Sequence, residues 1–330
     1  MNEQENKAAS LAEEKAAVRK RRRPGGLECR LGLLIGLAGL IASRLGQLWI
    51  EFDVFSQFTL QFAVLTVAFL VGLIMPRARL TAAFLLVLTG LLAIGVWPHV
   101  ASRVPHVIGT LKEGQQPLKV ASFNTWYDNK QVDVVKTELE RLDADVVALV
   151  ELGPNKRAML GELKEKYPYQ VNCFQIDFCN LAILSKFPIM DSTARVEWEG
   201  PPTIQAKLGP EMGNLNVFGV HTIRFPHSRA QFRQVQALDR LLVTIPGRKL
   251  VMGDFNATPF SRITQMVSSE TGLVRLTMLP SWPSRIALPQ VAIDHIFVSP
   301  EIGVIEDERL GEPSGSDHYP IAMKLAVPAP

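Results

Sequence analysis

The feature that most constrains this chain is a change of character near residue 98. Residues 27–98 are largely Leu, Ile, Val, Ala, Phe and Gly, whereas from Pro117 onward the mixture is that of a water-soluble globular protein. Apolar residues make up 47% of the 330 and the mean hydropathy is +0.13. The apolar excess lies in the N-terminal part, in three runs at roughly 31–50, 59–75 and 80–97. A helix that crosses a bilayer needs about 20 apolar residues, with a range of ~17–25. The second and third runs sit near the short end, and Arg44 interrupts the first. Three such runs in close succession leave no polar face for water, which argues against helices of a soluble core.

Charge divides at the same place. Residues 1–98 carry 11 Lys/Arg against 7 Asp/Glu, and residues 99–330 carry 24 against 25. The soluble part is therefore nearly neutral, which disfavours bulk nucleic-acid binding, since that draws on neutralised phosphates. Arg19 to Arg23 precede the first run, Glu51 and Asp53 follow it, and Arg77 and Arg79 separate the second from the third. Lys and Arg mark the cytoplasmic side of spanning helices. The expectation is a basic cytoplasmic tail (1–26), a three-helix transmembrane region (27–98), a linker (99–116) and a catalytic domain (117–330). That domain faces away from the cytoplasm, on the periplasmic side of a cell inner membrane. In that compartment Cys173 and Cys179 either close a small disulfide loop or remain two buried thiols.

From Leu118 the pattern alternates between short apolar runs and helical spacings. Strands are expected over 119–124, 145–151, 181–185, 203–208, 215–221, 249–254, 292–299 and 319–325, and helices over 132–142, 156–166 and 228–244. Strands mixed with helices around at least two sheets predict a layered α/β sandwich.

The strands end on polar groups: Asn124 in SFN, Glu151 in VVALVE, His221 in VFGVH, and Asp254 with Asn256 in GDFN. Asp294 sits in AIDHIFVS, and Asp317 with His318 in SDHYP. One strand-end Asp or His is usually a turn former or a solvated end. Six together point to a converging site, because buried carboxylates are costly unless paired or metal-bound. A set rich in carboxylate and amide oxygens suits Mg²⁺, Mn²⁺ or Ca²⁺ over Zn²⁺. The motifs G-x-S-x-G, H-E-x-x-H, G-x-x-x-x-G-K-[ST] and G-x-G-x-x-G are all absent.

The GDFN at 253–256, the SDHYP at 316–320, the VE ending at Glu151 and NLAILSKFPI at 180–189 resemble the endonuclease/exonuclease/phosphatase (DNase I-like) family. The resemblance covers about residues 117 to 327, and the N-terminal anchor is similar to a bacterial membrane-bound branch. It implies a four-layer α/β/β/α sandwich, here preceded by three transmembrane helices. It implies that Glu151 binds the divalent metal, with Asn124 and Asp317 nearby. Asp254, helped by Asn256, would activate the attacking water; His318, oriented by Asp294, would stabilise the phosphoryl group; His221 would bind a phosphate oxygen. Two positions depart from the family pattern: Val150 replaces a frequent amide, and His295 replaces a frequent aromatic.

The resulting expectation is a membrane-anchored, Mg²⁺-dependent phosphodiesterase or phosphatase acting on a lipid head group, a small phosphoester or nucleic acid. Its other expected contact is the lipid bilayer, with no protein partner. An extracytoplasmic nuclease and a non-catalytic anchored binding protein are the alternatives. Arg224 and Arg229 are either anion contacts or solvated surface charges.

Overall fold

The computed structural model describes residues 26–74, 109–197, 199–286 and 290–329. Two compact units divide the chain: Met1–Ile41 with Thr59–Trp97, and Ala42–Phe58 with Pro98–Pro330.

The first unit contains most of helix α1 (Gly26–Leu45) and helix α3 (Thr59–Ile74). Three glycines of α1 let α3 approach closely. A Cβ on Gly32, Gly36 or Gly39 would lie 2.3, 2.4 or 2.2 Å from Phe69, Thr66 or Phe62. Leu34, Ile35 and Ile41, away from that seam, are exposed. Among the described residues no single helix is long and apolar enough to cross a membrane. The pair Ile50–Ser56 and Thr59–Val71, bent by 61°, meets that test only jointly. The run expected as a span over 31–50 thus ends as a helix at Leu45, and residues 50–56 form a 3-10 turn and the short helix α2 (Asp53–Ser56). The three expected transmembrane helices are therefore not established. The third, 80–97, lies outside the described residues, as does the linker up to residue 108.

In the second unit two six-stranded sheets pack face to face. The first runs β11 (Gly303–Leu310), β12 (Ile321–Pro328), β1 (Gln115–Asn124), β2 (Val146–Val150), β4 (Ala182–Ser185), β3 (Tyr169–Asn172). The second runs β5 (Ile189–Arg195), β6 (Thr203–Leu208), β7 (Asn216–His221), β8 (Lys249–Asp254), β10 (Asp294–Val298), β9 (Val274–Arg275). Period-two alternation sorts the side chains. Val146, Ala148 and Val150 of β2 meet Leu250 and Met252 of β8 between the sheets. Val147 and Leu149 face α4 (Val132–Leu142) and α5 (Met159–Glu162) on the outer side. Phe218, Val220 and Val251 face α6 (Ser228–Thr244) and α7 (Arg262–Thr271). The order of layers is helix, sheet, sheet, helix, as expected. The helix expected over 156–166 is a 3-10 turn and the single turn α5.

The segment 46–58 belongs to this unit and is docked by hydrogen bonds. Asp53 accepts from Ser261 Oγ (2.5 Å) and from the Arg262 N–H (2.8 Å), so it caps α7 from outside. Gln57 Oε1 accepts from the Thr258 N–H at 2.7 Å. Cys173 and Cys179 form a disulfide.

Candidate active site

Parallel pairing of β1 with β2 and of β7 with β8 brings four strand C-termini to one edge of the sandwich. These deliver Asn124, Glu151, His221 and Asp254. Strand β10 runs antiparallel to β8, and β12 antiparallel to β1. Their starts therefore lie at the same edge. Asp294 opens β10, directly opposite Asp254 in the ladder, while Asp317 and His318 precede β12. These three enter from strand beginnings, not from strand ends.

The groups meet around Asp254. Its Oδ2 accepts from Asn124 Nδ2 at 2.9 Å, and its Oδ1 from the Asn256 N–H at 2.8 Å. His221 Nε2 lies 3.5 Å from Glu151 Oε1 and 3.9 Å from Asp254 Oδ2. His318 Nε2 lies 3.7 Å from Asp254 Oδ2, and its Nδ1 is 2.8 Å from Asp294 Oδ2. The Tyr127 N–H donates to Glu151 Oε2 at 3.0 Å. A cavity of about 600 Å³ opens onto these groups, walled by Trp126, Phe225 and Trp282.

Local backbone follows the same demand. Glu151, Asn256 and Trp126 hold φ of 53°, 48° and 54°, a left-handed conformation costly for non-glycine residues and concentrated at functional sites. Gly253 in GDFN has φ 151°, and a Cβ there would sit 1.9 Å from Val220 O. Only glycine lets β8 run against β7 at that point.

Electrostatics separate the roles. Burial, then the neighbouring Asp294, push the Asp254 carboxyl up to about 8. Burial opposes charge on His318, but Asp294 and Asp254 outweigh it and raise the imidazole to about 10. Burial holds His221 below the ordinary imidazole value. Burial also works against ionised Glu151, yet His221, the Tyr127 N–H and Asn124 keep it below the usual carboxylate range.

Two groups of ligating atoms lie close enough to share one ion: Glu151, His221 and Asp254, and Asp254, Asp294 and His318. Asp294 Oδ1 is buried without a hydrogen-bond partner. This oxygen-rich donor set, with an orphaned carboxylate oxygen, fits a hard divalent cation. Of the expected metal residues Glu151 is in the first group. Asp317 lines the cavity but is in neither group; its Oδ2 accepts from the Trp282 indole at 3.1 Å. Asn124 bridges the site, since its Oδ1 accepts from the Trp126 N–H at 3.0 Å. Arg224 lines the cavity, whereas Arg229 pairs with Glu51.

Sequence reading missed several supports. Lys156 is fully buried and donates to the carbonyls of Trp126 (2.7 Å), Tyr127 (3.1 Å) and Asn129 (3.3 Å). It thereby holds the loop that serves Glu151. Ser316 Oγ donates to Asn124 O at 2.7 Å and accepts from the His318 N–H at 3.1 Å. Both are ordinary surface residues by composition, so only position reveals them. His295 packs on Phe255 and Phe297, 6.0 and 5.9 Å away, which explains how it substitutes for an aromatic.

Residues 121–318 match the model of the Endonuclease/Exonuclease/phosphatase family. The chain belongs to this family. Membership makes it a metal-dependent hydrolase of phosphate esters. No curated protein matches it. Among solved structures it is similar to sphingomyelinase C from Streptomyces griseocarneus, at 15% identity and TM-score 0.51 over 64% of this chain and 99% of that one. It is also similar to magnesium-bound beta toxin from Staphylococcus aureus, at 17% and 0.52 over 64% and 99%. A humanized D. rerio TDP2 gives 17% and 0.52 over 63% and 98%. At these identities the likeness speaks for the shared fold.

Proposed function

We propose that this family member is a membrane-anchored, Mg²⁺-dependent phosphoesterase that acts outside the cytoplasm, on the phosphoester of a lipid head group or a small molecule. The observation that carries the catalytic part is Asp254, buried among Asn124, His221 and His318 with Asp294 behind.

Asp254 is the base. In its ionised form, made more basic by burial, the carboxylate can take a proton from a water held within hydrogen-bond reach. The Asn124 amide and the Asn256 N–H orient it. His318, charged because Asp294 and Asp254 flank it, points Nε2–H at the cavity, where it stabilises negative charge on a phosphoryl oxygen. Asp294 holds Nδ1–H and so fixes the ring. His221 contributes a ring nitrogen to a second phosphoryl oxygen, beside Glu151. Glu151, with the facing oxygen of Asp254, would hold the divalent ion, which when bound supplies charge stabilisation at phosphorus and the leaving oxygen.

Several observations support the anchor. The α1–α3 pair has the small-residue seam that packs helices in lipid, with apolar residues outside it. The loop 46–58 is docked on the catalytic unit, as a topology with both on the same side requires. The near-neutral charge of residues 99–330 favours a head group or small phosphoester over bulk nucleic acid. The solved sphingomyelinase and magnesium-bound beta toxin share the fold, which adds to the lipid and Mg²⁺ readings.

The test is hydrolysis by the full chain in detergent micelles. Substrates are a chromogenic phosphodiester, a chromogenic monoester, a micellar phospholipid and DNA, each with Mg²⁺, Mn²⁺, Ca²⁺ or chelator. Metal-dependent turnover, lost in Asp254→Asn and His318→Ala, is expected, with DNA the poorest substrate. Equal turnover in chelator, or in both variants, would overturn the catalytic assignment. DNA as the best substrate would favour the nuclease reading.

A further inference from the structure

The segment 46–58 is amphipathic in the sense opposite to a helix on a water-soluble protein, which buries its apolar face. Its polar side chains are the hidden ones: Asp53 and Ser56 are fully buried and Gln57 nearly so. Its large apolar side chains face out, with Leu48 69% exposed, Trp49 56%, Phe55 39% and Phe52 37%. The rings of Trp49, Phe52 and Phe55 follow one another at 6.4 and 6.1 Å, so they form one continuous surface. The orientation is fixed from below. Asp53 is bonded to Ser261 and the Arg262 N–H, Gln57 to the Thr258 N–H, and Ile50 packs on the apolar cluster under α6 and α7. The segment cannot roll its aromatics inward without breaking these bonds and burying unpaired polar groups.

Three observations choose what covers this surface. The chain enters the segment from α1 and leaves it into α3, both apolar helices. Trp, Phe and Leu are the side chains that interfacial segments place at the boundary of a bilayer. Beside the aromatics, α6 presents an exposed row at i, i+4, i+7 and i+11: Arg229, Arg233, Gln236 and Arg240. Arg229 pairs with Glu51, and Gln47 shares a cavity wall with Gln236 and Arg240, so the row runs alongside the segment. The exposed acids there are Glu51 and, across the cavity, Glu270. The three arginines outnumber them, and a guanidinium fork matches phosphate oxygens. A protein partner fits less well, since four side chains fall far short of the roughly 20–30 residues a stable interface uses on each side.

The segment also borders the catalytic mouth. The Phe58 ring meets Phe225 edge-on at 5.9 Å, and Phe225 meets Trp282 at 6.2 Å. Phe225 and Trp282 are walls of the catalytic cavity. On the membrane-anchored reading given above, we propose that segment 46–58 is an interfacial platform. Leu48, Trp49, Phe52 and Phe55 lie in the bilayer that anchors the chain, the α6 arginines meet lipid phosphates, and the catalytic mouth opens at the level of the head groups.

The experiment is spin-label power saturation on the full chain, reconstituted into vesicles of phosphatidylethanolamine with phosphatidylglycerol. Cys29→Ser removes the free thiol, since Cys173 and Cys179 are bridged. Single labels then go to Trp49→Cys, Phe52→Cys, His227→Cys at the cavity mouth and Val134→Cys, exposed on α4 over the other sheet. Labels at 49 and 52 should meet oxygen more readily than an aqueous nickel chelate, by a ratio several-fold above that at 134. A nickel-chelating lipid should relax the label at 227 and leave 134 unaffected. Leu48→Cys carries the first test if either aromatic replacement fails to incorporate. Free access of nickel chelate at 49 and 52 would overturn the platform. So would poor access of both reagents, which marks a surface covered by protein, from this chain or a second copy. No relaxation at 227 would overturn the placement of the mouth. A chain that does not float with the vesicles would overturn the anchor and the platform together. None of these readouts uses turnover, so they decide the proposal whatever the catalytic assignment.

Discussion

His318 shows how much a residue's behaviour depends on one neighbour. Its ring is buried, which alone would keep it neutral, yet Asp294 and Asp254 raise it to about 10. Asp294→Asn keeps the shape and removes the largest upward push. The alkaline limb of the pH–rate profile, where His318 loses its proton, should move to lower pH. By comparison with other His–Asp pairs kcat should fall by about 10²–10⁴ with KM little changed. An unmoved alkaline limb would show that His318 does not govern it. His295 behaves oppositely. Burial, then nearby Arg275, lower it to about 3, so the fold keeps it neutral between Ala257 O (2.8 Å) and Thr277 Oγ1 (2.9 Å). The unfolded chain takes up that proton near pH ~6.5. This contribution to stability is thus complete above about pH 6.5 and lost as pH falls toward 3, with a slope of up to about 1.4 kcal/mol per pH unit. His295→Gln should abolish that slope in denaturation midpoints measured across pH. Gly253→Ala should destabilise by more than about 2 kcal/mol, since the new methyl meets Val220 O and φ stays positive.

Elements differ in how openly the sequence declares them. The central strands β1, β2, β7 and β8 are apolar on both faces because helices cover the outside, and their runs are plain to read. The strands 169–172, 189–195, 274–275 and 303–310 are not apparent, and all four are sheet edges. Strand β5, for example, is exposed over Met190–Thr193, so its residues need no alternation strong enough to notice. Helix α7 escapes notice for a related reason: its N-cap bond from the Ile263 N–H to Ser261 is local, but its second capping acid, Asp53, lies far upstream. Asp53→Ala should cost about 1–2 kcal/mol through the lost cap and raise proteolytic cleavage within 46–58. Unchanged cleavage would mean that the loop is held by its other contacts. The Cys173–Cys179 bridge closes a short loop, for which chain entropy assigns roughly 2 kcal/mol. Cys173→Ser should lower the denaturation free energy by about that amount.

At the scale of the molecule, composition separates an apolar N-terminal part from a near-neutral hydrolase, while packing draws the line elsewhere. Residues 42–58 belong to the second unit although the first apolar run extends to residue 50. The helix pair beyond them rests on glycine contacts. Gly36→Leu forces its side chain into Thr66, where a Cβ alone would come within 2.4 Å of Oγ1. Cysteines introduced on α1 and α3 should then crosslink less readily than in the parent, with phosphoester turnover in micelles retained. Undiminished crosslinking would argue that α1 and α3 do not pack through this seam.

The sequence by itself determined which groups do chemistry. Eight polar residues at the ends or flanks of apolar runs are a local signal, and burial of the runs makes their polar ends meaningful. The order of motifs was enough for the family. Tertiary structure decided what those groups do to one another. Opposed strand directions bring Asp294 from the start of β10 to face Asp254, and no local pattern encodes that pairing. The same applies to buried Lys156 behind the Glu151 loop, and to Arg224 in the cavity while Arg229 pairs with Glu51. Each depends on which distant neighbour arrives, and so on the packing of the whole unit.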